Sequence, residues 1–169
     1  IANGTVNATS YDLQAGSISA ALTGGVQVTK TTDGLVVLSG TNSYTGATNI
    51  QEGVLVFGST ASLPGFPAPA AINVSNGAFL SFRAGGVGEW TTADINTTIG
   101  AATFSPLGGI GFDVTGTNEF TYSSAISGGK SVLKTGAGTL ILDGNSTHTG
   151  STIVYEGTLK VGSDDNRIF

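Results

Sequence analysis

One stretch of this chain occurs twice, and that repetition limits the fold more than any other feature. Residues 30–59 read KTTDGLVVLSGTNSYTGATNIQEGVLVFGS, and residues 134–163 read KTGAGTLILDGNSTHTGSTIVYEGTLKVGS. They align without a gap at a constant offset of about 104 residues. Lys30 matches Lys134, Gly34 matches Gly138, Leu38 matches Leu142 and Gly40 matches Gly144. Thr45-Gly46 matches Thr149-Gly150, and Glu52-Gly53 matches Glu156-Gly157. Leu22-Thr23-Gly24-Gly25 also lies over Ile126-Ser127-Gly128-Gly129, so the copies cover 22–59 and 126–163. Long-period repetition of this kind marks a stacked, quasi-one-dimensional chain.

The text between punctuation is strand text. Tyr11-Asp12-Leu13, Val26-Gln27-Val28, Ile72-Asn73-Val74 and Phe120-Thr121-Tyr122 alternate with period two. Asp33-Gly34, Glu52-Gly53 and Asn76-Gly77 read as turns. The last two are about 24 residues apart, which predicts one coil of a solenoid, with the longer unit several coils long. Residues 60–71 hold three of the four prolines and cannot form a central strand, so a lateral loop is expected there. Thr91-Thr92-Ala93-Asp94-Ile95 resembles a helix start, and one short helix is expected in 86–102. The expectation is a single all-β segment over 1–169, a right-handed parallel β-helix (β-solenoid), with β-sandwich as the alternative. Each coil is expected to repeat its predecessor's path, with apolar ladders inward and Thr and Asn outward.

The shared pattern K-T-G-x-G-x-L-x-L-x-G-x-x-x-x-T-G-x-T-x-x-x-x-G-x-L resembles the autotransporter-associated β-strand repeat, also called the passenger-associated transport repeat. Stretches such as 11–17 and 88–95 are similar to what separates these repeats in large bacterial surface proteins. The first copy departs at Thr32, Asp33 and Val36, and the second carries His148 where the first carries Tyr44. The resemblance implies a passenger-type rod, stalk or extracellular fibre at the bacterial surface. It implies no catalytic or ligand residue.

Composition narrows the function classes. Six Lys+Arg stand against eleven Asp+Glu, a net charge of −5, which argues against a nucleic-acid face. There is no cysteine, so disulfides and thiolate sites are excluded. No apolar run approaches the ~20 residues that span a bilayer. The abrupt start at Ile1 and end at Phe169 read as a fragment of a longer polypeptide.

No residue is assigned a catalytic, cofactor or metal role. The acids mostly sit in turns beside Gly, Asn or Ser, with no spacing that pairs two of them for glycoside cleavage. His148 has no triad or zinc companions and reads as a loop residue. Asp164-Asp165-Asn166 lacks calcium-loop spacing. Lys30 and Lys134 recur, as do Glu52 and Glu156, which allows a Lys–Glu contact across adjacent coils, worth ~0–1 kcal/mol where exposed. Trp90 reads as the anchor of a loop on the stack, with a sugar platform as the alternative. The expected partners are neighbouring coils of the same chain or copies of itself in a fibre. The alternative is an adhesin or glycan-binding module using 63–69 and 82–90, and a polysaccharide-degrading enzyme is the remotest reading.

Overall fold

A computed structural model describes residues 2–162 as a parallel β-solenoid with one helix. A seven-stranded parallel sheet runs through the described chain, beside a five-stranded and a three-stranded sheet and two two-stranded ones. In the seven-stranded sheet Leu35 pairs with Val54, Val54 with Phe79, Phe79 with Gly109 and Gly109 with Ser131. Neighbouring coils are therefore 19, 25, 30 and 22 residues long in turn. The expected 24-residue coil is one member of an unequal series. The coil of 25 carries the proline-rich loop with its short 3-10 turn Thr60–Ser62, and the coil of 30 carries the helix Thr92–Ala101. Asp164-Asp165-Asn166 lies outside the described residues.

The helix forms where its caps were legible. Thr91 Oγ1 accepts from the Asp94 N–H at 3.3 Å, and the Asp94 carboxylate accepts from the Thr91 N–H at 3.1 Å, closing a capping box. Ile95 and Thr98 bury its inner face. Asn96 pins the helix to the solenoid, accepting from the Tyr122 hydroxyl at 2.6 Å and donating to Ser124 Oγ at 2.7 Å.

Inward ladders make the core. Val36, Leu55, Leu80, Ile110 and Val132 stack in one row, and Leu38, Phe57, Phe82 and Phe112 in the next. Each buried apolar side chain contributes roughly 1.5–3 kcal/mol by leaving water. The Phe row ends on Lys134, which lies beside Phe112 and is wholly buried, as is Lys30.

These two lysines reach across adjacent coils to Glu52 and Glu156, at the backbone carbonyls and not at the carboxylates. Lys30 Nζ donates to the Thr32 carbonyl and, at 3.3 Å, to the Glu52 carbonyl. Lys134 Nζ donates to the carbonyls of Thr135 and Gly136 at 2.6 Å each and of Glu156 at 3.3 Å. Each ammonium sits inside a corner and solvates backbone carbonyls of its own turn and of the turn stacked on it. Burial pushes both pKa values down, and the neighbouring carboxylates oppose that shift. The Glu side chains act only through their charge.

The stacked turns explain the repeated Glu-Gly. Gly53 and Gly157 have φ of +66° and +74°, where L side chains are strained. A Cβ on Gly53 would strike the carbonyls of Thr32 and Gly34, and one on Gly157 those of Gly136 and Gly138.

The copies do not occupy equivalent places. Val28–Lys30 belongs to the five-stranded sheet, whereas its counterpart in Ser131–Thr135 belongs to the seven-stranded one. The following strands, Leu35–Leu38 and Thr139–Leu142, belong to the seven- and three-stranded sheets. Each coil retraces the last along the seven-stranded sheet, but the second copy is advanced by one face around the coil. Residues added by the lateral loop and the helix lengthen the chain without adding turn, so equal sequence spacing is not equal rotation.

Candidate binding groove on the outer face

The outer surfaces of the two long sheets differ. On the five-stranded sheet the outward row is Asp12, Thr29, Asn49, Asn73 and Thr103. It is laced by side-chain bonds: Asn73 Nδ2 to Asn49 Oδ1 at 2.8 Å and Asn49 Nδ2 to Gln27 Oε1 at 3.2 Å. Thr31 donates to Asp12, and this bond with one from Gln14 holds the Asp12 carboxyl below its usual range.

On the seven-stranded sheet the outward rows are largely apolar. One runs Leu35, Val54, Phe79, Gly109 and Ser131, and the next Val37, Val56, Ser81, Gly111, Leu133 and Ile153. Val56, Phe79 and Leu133 are buried yet stand outside the core cluster. A cavity of about 360 Å³ is lined by Leu35, Val54, Phe79, Leu133 and Tyr155 among others. A second, of about 380 Å³, shares Leu35, Thr135 and Tyr155 with it and adds Arg83, Asp113 and Glu156. Together they form a groove with an apolar side and a charged side.

The charged side is built on adjacent strands. Arg83 and Asp113 are lateral partners one step beyond the Phe82–Phe112 pair, so core packing fixes their spacing. Arg83 Nε donates to Asp113 Oδ2 at 2.8 Å, and Thr135 Oγ1 donates to Asp113 Oδ1 at 3.3 Å. Asp113 is buried and Arg83 partly exposed. Tyr155, from the next coil, is 81% exposed.

Of the residues weighed from sequence, Glu156 and Arg83, the latter within 82–90, line this groove, and the others lie elsewhere. Trp90 is buried edge-on against Phe82 and Phe66, with centroids 4.8 and 5.4 Å away. It anchors its loop, and its ring offers no sugar platform; Phe82 is likewise buried in the core, whereas Arg83 of the same 82–90 stretch reaches the groove. Residues Leu63, Pro64 and Pro69 do line a separate cleft of about 340 Å³ with Asn42, Tyr44 and Thr48. His148 lies in a two-residue strand, where its Nε2 is 2.9 Å from Thr152 Oγ1. That bond reproduces the one at the equivalent place in the first copy, Tyr44 hydroxyl to Thr48 Oγ1 at 2.8 Å. The outer groove escaped sequence reading because LVVL and VLVF are continuous apolar runs, in which inward and outward residues look alike.

The passenger-associated transport repeat matches this chain at residues 28–57 and again at 132–161. The chain carries two copies of the passenger-associated transport repeat. It is also 34% identical over 126 residues to the Adhesin BmaC autotransporter of Brucella suis biovar 1 (strain 1330). That match covers 71% of this chain and 3% of the length of the adhesin. No solved structure matches the chain. Both matched segments hold a corner unit, two strands around a turn stacked on two more, and the second adds the two-residue strand Thr147–His148. Among the described residues no helix is long and apolar enough to cross a membrane.

Proposed function

We propose that this chain is a rigid, non-enzymatic length of the passenger of a large bacterial surface adhesin, holding more distal parts away from the cell. The observation that carries this reading is the seven-stranded parallel sheet, which passes through both repeat copies without a break. Backbone hydrogen bonds along the axis and inward apolar ladders supply the stiffness, and repeat number sets the length. Among the described residues Ile153, Val154 and Val161 lie on strands with a neighbour on one side only and are 40%, 47% and 42% exposed, a coil face suited to receive another. That coil belongs to the same long chain, or to a second copy in a fibre.

Electron microscopy of the native-length protein tests this. Rods are expected, and deletion of these residues should shorten them by about 4.8 Å per coil removed. Flexible or globular particles would defeat the reading. A second role, direct adhesion, is favoured by the outer groove and by the similarity to a protein named as an adhesin. Cells lacking this segment should then adhere less well than cells carrying an unrelated rod of equal length in its place.

A further inference from the structure

We propose that the charged end of the outer groove is a subsite for a neutral glycan, with Arg83, Asp113, Tyr155 and Glu156 as its contacts; this rests on the adhesive reading above.

Three observations converge there. Arg83 spends only its Nε on Asp113, and its terminal Nη atoms make no hydrogen bond among the described residues. They form a fixed donor fork at the rim of a cavity of about 380 Å³. A fork of this geometry suits two acceptor oxygens side by side, which vicinal hydroxyls or a carboxylate supply. Asp113, held by Arg83 and Thr135, and Glu156 on the same rim provide acceptors for the hydroxyl protons. Tyr155 offers a largely exposed ring on which the C–H face of a sugar packs, next to the apolar strip of Leu133 and Phe79.

Charge selects among sugars. The lining holds one cation, Arg83, and two carboxylates, Asp113 and Glu156, and the buried Lys134 ammonium beneath it, on the carbonyls of Thr135, Gly136 and Glu156, brings the site to balance. An anionic sugar meets a site with no excess of positive charge, within a chain of net charge −5. Phosphorylated ligands are disfavoured for the same reason, and a neutral sugar is not.

The test is an NMR titration of the 169-residue chain with lactose and with 3′-sialyllactose, preceded by an array of neutral and acidic oligosaccharides. Neutral glycans are expected to bind, with shifts confined to the strands around Arg83 and Asp113. Tyr155→Ala should weaken binding about tenfold, the loss of one ring contact, while leaving the thermal midpoint unchanged. Arg83→Gln should weaken it further; a lowered midpoint in that variant leaves Tyr155→Ala to decide. Binding to no neutral glycan, tighter binding of 3′-sialyllactose, or full affinity in the Tyr155→Ala variant overturns the proposal. The adhesive reading fails separately, when the cell assay shows no loss on replacing the segment, whatever the titration gives.

Discussion

Residues 28–57 and 132–161 carry one motif on different faces of one solenoid. Lys30 looks into the coil from the five-stranded sheet and Lys134 from the seven-stranded one, yet each ammonium binds the carbonyls of two stacked turns. What the motif encodes is therefore a corner, and the corner does not depend on which face precedes it. Inside that shared frame the copies differ. Asn42 ties three coils, accepting from the Leu22 N–H at 2.9 Å and donating to the Ser62 carbonyl at 2.7 Å. Ser146, at the same place, accepts from the Ile126 N–H at 3.1 Å. Tyr44 gives way to His148 with its bond to a threonine preserved.

The largest test of the shared corner is to remove its cation. Lys30→Met and Lys134→Met keep the volume but strand several carbonyls, and each should cost about 4 kcal/mol in urea unfolding. A cost at one site alone would break the equivalence of the two corners. Gly53→Ala and Gly157→Ala should each cost about 3 kcal/mol, from positive φ and collision with the preceding turn.

The next prediction separates the copies. Burial pushes the Tyr44 phenol up to about 12, from 10 in an unfolded chain. Its folded pKa is raised, so its contribution is complete below pH 10 and is lost as pH rises from 10 through 12. The loss should amount to about 2–3 kcal/mol. Tyr44→Phe should flatten that part of the alkaline unfolding curve, leaving the loss from Tyr122, whose phenol burial also pushes up to about 12. The second copy has no phenol at this place, where His148 stands. The smallest difference is between polar bridges: Asn42→Ala should cost about 2 kcal/mol and Ser146→Ala about 1 kcal/mol by thermal or urea unfolding. Equal costs would mean that the second bond of Asn42 adds nothing.

The parallel solenoid and the helix start were legible because gap-free repetition and the Thr91–Asp94 cap are written in sequence. The step of one face was not, because residue counts do not distinguish those that turn the coil from those that leave it. The burial of the two lysines was not legible for a related reason: a lysine looks like a surface residue until the carbonyls that solvate it are brought around it. Arg83 and Asp113 stand thirty residues apart and meet only because a coil holding the helix closes between them. No local pattern announces such a pair.

Unequal coil lengths have a mechanical consequence. The strands lie across the axis, so a pull on the two ends of the rod opens the ladder bonds between coils one coil at a time. Each release yields slack in proportion to the residues it frees, about 3.3–3.6 Å apiece. Coils of 19 residues give steps near 65 Å, and the helix-bearing coil of 30 gives one near 100 Å. Under tension this stretch of chain lengthens by uneven increments, and the longest of them falls between the two repeats.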